Sequence, residues 1–135
     1  MIKIDNLKDT KKIASEFSKT LKGNEIICLI GDLGAGKTTF TKFLLEELGV
    51  LDNVTSPTFV LRSDYESLKG PVYHFDWYRM DSKEDLVNID FFDVLGEGLV
   101  IIEWADKFLD ILNGFNIIKI NFMIKNGVRY INIER

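Results

Sequence analysis

Little in this chain of 135 residues offers an alternative to a conventional packed core. It has one cysteine, one histidine and two prolines. A single cysteine excludes an intrachain disulfide and a four-cysteine zinc site. Cys28 lies in the apolar run "IICLI", where a buried, inert thiol is expected. No stretch reaches the roughly 18 apolar residues of a membrane span. The opening "MIKIDNLKDTKK" alternates charged and apolar residues, unlike the apolar core of a signal peptide. These features lead to the expectation of a cytoplasmic protein in a reducing compartment, with no membrane partner. Excess positive charge is also missing. A net charge of −4 argues against a surface that grips nucleic acid by itself, because such affinity comes mainly from neutralising phosphates. Lys8, Lys11, Lys12, Lys19 and Lys22 gather near the N-terminus, either as a solvated helix face or as a docking patch. Any RNA involved is expected to lie beside this chain.

Residues 1–135 are expected to form a single domain. "IKI" reads as a short strand. Ile13, Phe17 and Leu21 then recur every four residues from about Asp9, the pattern of an amphipathic helix capped by Asn6 or Asp9. "EIICLI" suits a strand buried on both faces, and a helix from Lys37 to Leu48 is expected to stop at Gly49. "TSPTFVLRSDY" reads as a loop entering a strand, and "PVYHFDWYR" alternates as another strand. "SKEDLVNIDFFDVL" is expected to be a helix capped by Ser82, with Glu84 and Asp85 in its first turn. "GLVIIEW" is a further buried strand. "INFMIKNGVRYINI" predicts a hairpin with a type I′ turn at Asn126-Gly127. That turn pairs Lys125 with Val128, Ile124 with Arg129, Phe122 with Ile131 and Ile120 with Ile133. The fold class is therefore α/β, and the run "GDLGAGKT" (Gly31–Thr38) between the "EIICLI" strand and the next helix makes it a P-loop-like domain, with a mixed sheet, a parallel core, an antiparallel C-terminal hairpin and flanking helices.

The chemistry begins at "GDLGAGKTTF", which fits G-x-x-x-x-G-K-[ST] from Gly31 to Thr38. Gly34 and Gly36 let backbone N–H groups turn onto phosphate oxygens, aided by the following helix N-terminus. The nucleotide-binding set read from this loop is Leu33, Gly34, Ala35, Gly36, Lys37, Thr38 and Thr39. Lys37 supplies a cation for the outer phosphates, and the Thr38 hydroxyl is placed for Mg²⁺. A second Mg²⁺ anchor is expected on an acid that ends a neighbouring apolar strand. Glu103 closes "LVIIE" at such a place, with a structural carboxylate as the other reading. Trp104 beside it reads as a core plug. If "PVYHFDWYR" is a strand, His74, Asp76 and Tyr78 share one face. That row is either a solvated surface or a site in which Asp76 orients water as a general base. Ser56, Thr55 and Thr58 in "TSPTF" offer hydroxyls to a γ-phosphate or form a proline turn. Arg129 either reaches solvent or points at an anion.

Together, "GDLGAGKTTFTK", "SPTF", "HFDWYR" and "IEW", in that order, resemble the bacterial TsaE (YjeE) ATPase family of tRNA threonylcarbamoyladenosine biosynthesis. The resemblance runs from about Thr10 to Trp104, and the hairpin is compatible with it. It implies an ATPase that uses ATP and Mg²⁺ and works with other components of the transfer machinery, TsaB/TsaD-like proteins. Those partners would place a threonylcarbamoyl group on the adenosine beside the anticodon in tRNAs reading codons that begin with A. It implies Thr38 and Glu103 as Mg²⁺ ligands, Asp76 as the acid needed for hydrolysis, and Thr10 and Arg129 as nucleotide contacts. Two departures bear on partner geometry: Phe43 stands where the family often has glycine, and "MDSKEDLVNIDFFDVL" lacks a glycine common there. Other classes fit less well. A small-molecule kinase normally carries several lid arginines, whereas Arg62, Arg79, Arg129 and Arg135 are scattered. A GTPase switch would carry an N/T-K-x-D motif, which is absent. A nucleotide-binding scaffold without hydrolysis is the non-enzyme alternative.

Overall fold

The run "IICLI" becomes β2 (Ile26–Gly31), the middle strand of a seven-stranded sheet in a computed structural model that describes residues 1–32, 34–51 and 61–135. The other strands are β1 (Ile2–Ile4), β3 (Arg62–Ser67), β4 (Gly70–Asp76), β5 (Leu99–Glu103), β6 (Ile117–Lys125) and β7 (Val128–Glu134). Their order is β1-β7-β6-β2-β5-β4-β3. β6, β2, β5 and β4 run parallel, while β3 on one side and β7 with β1 on the other add antiparallel edges. The parallel strands at the centre are covered on both faces, which is why their sequences lack polar alternation.

Side chains two apart share a face. Ile27 and Leu29 of β2 and Leu99 and Ile101 of β5 pack beneath α1 (Leu7–Ser18) and α2 (Lys37–Glu47), with Phe17, Phe40, Leu44 and Leu45. Ile26, Cys28, Val100 and Ile102 face the other way, onto Trp77, Met80, Leu86, Phe91 and Leu112. This second layer contains α3 (Lys83–Asn88), α4 (Phe91–Val94) and a 3-10 stretch, Ala105–Leu112. The same parity assigns His74 and Asp76 of β4, with Val72, to the α2 side of the sheet. Glu103 joins them there through Leu99 and Ile101.

Asn6 caps α1: its Oδ1 accepts the Asp9 N–H at 3.1 Å. α2 ends at Glu47 with Leu48 as its C-cap, and Gly49 turns the chain with φ 82°. The hairpin has the expected register, with Lys125–Val128, Ile124–Arg129, Phe122–Ile131 and Ile120–Ile133 paired. Asn126 and Gly127 both have positive φ, as a type I′ turn requires.

One expected element is corrected. "SKEDLVNIDFFDVL" is not one helix but two, broken where Asp90 takes left-handed φ 56°. The break turns Phe91 inward, where its ring meets Phe75 at 5.0 Å and Trp77 at 5.2 Å. A continuous helix would lose those edge-on contacts, each worth about 0.5–1.5 kcal/mol beyond burial.

Candidate functional site

At the carboxyl ends of β2, β4 and β5 lies a cleft of about 390 Å³, within the usual size range of small-ligand sites. Gly34, Ala35, Gly36 and the first turn of α2 line it. β2 and β6 approach so closely that a Cβ on Gly31 would sit 2.5 Å from the Phe122 carbonyl oxygen. Gly36 then caps α2 with φ 109°, a conformation that L side chains rarely adopt. This geometry frees the first N–H groups of α2 to face a ligand, where the helix dipole favours an anion.

Lys37, at the first turn of α2, is buried. Its Nζ donates to the Gly31 carbonyl and, at 2.9 Å, to that of Asp32. The Trp104 ring lies beside it, 4.3 Å from Nζ to the centroid. Burial holds the Lys37 pKa below the usual lysine value, opposed by the charges of Glu103, Asp106, Asp32 and Asp76. Trp104 sits at φ 61°, so the chain adopts a strained turn immediately after β5 to place that ring. The indole packs against the second core layer, as a core plug would, and it is also a wall of the cleft, which that expectation did not include.

The next residue, Thr38, donates its hydroxyl to Glu103 Oε1 at 3.1 Å, joining positions 65 residues apart. The other oxygen, Oε2, lies 2.7 Å from His74 Nε2. Asp76 is the direct lateral partner of Glu103 in the β4–β5 register. Its Oδ1 accepts the Tyr78 N–H at 2.9 Å. Both acids and His74 are buried, which overturns the solvated-surface reading of the His-Asp-Tyr row. Tyr78 is not part of the row: β4 ends at Asp76, and the tyrosine is exposed with its ring 4.8 Å from Trp104.

Thr10, buried on α1, lines the same cleft, as do Gly34, Ala35 and Thr39. Arg129 reaches its mouth, donating to the Gly34 carbonyl at 3.4 Å. The structure therefore gathers Thr10, Lys37, Thr38, Asp76, Glu103 and Arg129 around one space. Leu33, Thr55, Ser56 and Thr58 lie outside the described residues. Sequence reasoning overlooked the wall formed by Ile4, Asn6, Phe122 and Ile131. Phe122 and Ile131 were within reach, because the hairpin register sets them on the same face as Arg129.

A hydroxyl and a carboxylate, both hard oxygen donors, fit Mg²⁺, which takes one or two protein oxygens and fills its shell with phosphates and waters. Among the described residues no group of three or more acidic, histidine or cysteine side chains converges as a metal cage.

Comparison with known proteins settles the lineage. The family model described as threonylcarbamoyl adenosine biosynthesis protein TsaE matches residues 4–131. The chain belongs to the TsaE family. It is 42% identical over 106 residues to the Aquifex aeolicus tRNA threonylcarbamoyladenosine biosynthesis protein TsaE, covering 77% of this chain and 75% of that one. With the Rickettsia prowazekii TsaE it shares 35% identity over 134 residues, covering 98% and 92%. The crystal structure of YdiB from Bacillus subtilis matches with TM-score 0.72 and 32% identity, covering 97% of this chain and 81% of that one. The family resemblance read from the motifs and the expected α/β class, with its parallel core and antiparallel hairpin, are both borne out.

Proposed function

We propose that this chain is the ATP-binding and ATP-hydrolysing component of tRNA threonylcarbamoyladenosine biosynthesis. It would act with TsaB/TsaD-like proteins that carry out the transfer, and reach tRNA through that assembly. Family membership supports the pathway. The observation that supports the chemistry is the Thr38–Glu103 hydrogen bond beside Asp76. It brings a P-loop hydroxyl and two strand-end acids to the mouth of a phosphate cradle. No described helix is long and apolar enough to cross a membrane, and the cytoplasm is the proposed setting.

In this reading the backbone N–H groups of the Gly34–Thr39 turn bind the phosphates. Lys37 exchanges the Gly31 and Asp32 carbonyls for phosphate oxygens. Its lowered pKa marks a cation that gains from an anionic partner. Thr38 and Glu103 would hold Mg²⁺, which would supply positive charge against the outer phosphates. Asp76 orients the attacking water and accepts its proton. Arg129 and Thr10 close on the nucleotide from the hairpin and α1.

Hydrolysis by the isolated chain is expected to be weak. Arginines supplied by partner proteins accelerate related reactions about 10³–10⁵-fold. The test is ATP turnover by the chain with and without the transfer proteins, together with calorimetric ATP binding. Asp76→Ala should bind ATP normally and lose turnover, and partners should accelerate the wild type. Equal rates with and without partners would overturn the partner dependence. Normal turnover by Asp76→Ala would remove the base assignment. GTP binding tighter than ATP binding would favour a GTPase-like switch.

A further inference from the structure

We propose that His74 is a positioning residue whose Nε2–H fixes one oxygen of Glu103, so that the other is presented to Thr38 and the metal. The proposal rests on the reading of Glu103 as the Mg²⁺ partner.

The motif chemistry described above gives the histidine no task. Its ring is fully buried, and Nε2 lies 2.7 Å from Glu103 Oε2. An ionised carboxylate only accepts hydrogen bonds, so Nε2 carries the proton. The other ring nitrogen, Nδ1, is buried and has no hydrogen-bond partner among the described residues. Packing alone does not explain such a residue. His74 lies opposite Ile101 in the β4–β5 register and on the same face as Val72, where an apolar side chain would fill space without isolating a polar atom. What an apolar side chain lacks is a donor aimed at Oε2.

The two oxygens of Glu103 are thus divided. Oε2 faces the fixed ring inside the sheet, and Oε1 faces the P-loop hydroxyl. Without His74, Oε2 would be buried without this donor, and the carboxylate could rotate away from Thr38. Groups that hydrogen-bond to metal ligands orient them in this way, and their loss typically weakens metal affinity about 10–100-fold. The strand period carries the design further. His74 and Asp76 lie two residues apart on one face, so β4 delivers both the anchor of one acid and the neighbouring acid itself.

Mn²⁺ serves as the probe, its binding to the ADP-loaded chain being followed by the electron paramagnetic resonance of the free ion. ADP affinity is measured separately without divalent metal. His74→Leu should weaken Mn²⁺ about 10–100-fold and leave metal-free ADP binding unchanged. His74→Gln, whose amide can donate toward the same oxygen, should recover most of the loss. Glu103→Ala separates the two layers of the reading. If Glu103→Ala weakens Mn²⁺ binding while His74→Leu binds it as the wild type does, the positioning role is overturned and the metal assignment stands. If Glu103→Ala binds Mn²⁺ normally, both fall. Should circular dichroism show His74→Leu unfolded, His74→Asn, a shorter amide that falls short of Oε2, takes its place with the same two outcomes.

Discussion

Two glutamates sit almost out of water at opposite ends of the parallel strands, and they are satisfied in different ways. Glu25, 5% exposed, precedes β2 and receives backbone N–H groups from Lys22 at 2.8 Å, Gly23 at 3.0 Å and Asn24 at 3.2 Å. Glu103, 3% exposed, ends β5 and is held by the side chains of Thr38 and His74. Burial pushes the Glu25 pKa up, but the backbone donors together outweigh it and leave the value lowered. Backbone donors are fixed by the fold, so Glu25 is tied to one arrangement and shapes the turn between α1 and β2. A hydroxyl donor can turn, and the proposed function has Thr38 exchange its bond to Glu103 for a shared cation. A buried acid with rigid partners reads as structural, and one with a movable partner at a cleft reads as functional.

Deleting each acid tests this contrast. Glu103→Ala should lower partner-stimulated ATP turnover by at least about 10²-fold, the upper end for groups that merely support a metal ligand. Metal-free ADP binding should persist. Glu25→Ala should leave turnover per folded molecule unchanged and lower stability by about 1–3 kcal/mol in denaturant melts, because its N–H partners lose their acceptor. If Glu103→Ala is the more destabilising of the two, the contrast breaks. The smallest effect is in acid. The folded-state pKa of Glu25 lies below its ordinary value of 4.5, so its stabilisation is complete above that value and is lost as pH falls through the lowered folded value. Wild-type melts below pH 4.5 should show this loss, and Glu25→Gln should show a shallower acid limb.

The two acids were also unequally legible. Glu103 stood out because an acid closing an apolar strand beside a P-loop has a chemical reason to be there. Glu25 carried no signal, since its donors come from a local turn whose shape depends on Gly23 at φ 112°. The hairpin was legible to the residue, because a two-residue turn fixes every pair beyond it. The break at Asp90 was not, because "SKEDLVNIDFFDVL" holds no glycine or proline and only the core contacts of Phe91 reward the left-handed turn. His74 could be placed on a face with Asp76, but whether that face met water depended on α2 covering it.

The sequence by itself determined the phosphate turn, the hairpin register and the α/β class, since each depends on short-range sterics, turn chemistry or the spacing of apolar residues. Tertiary structure decided which side chains meet: Trp104 beside Lys37, Arg129 at Gly34, and His74 and Thr38 on the two oxygens of Glu103. Those meetings depend on strand order and on which sheet face each helix covers. Local periodicity assigns a residue to a face, but only the packed sheet sets which distant residue stands opposite it.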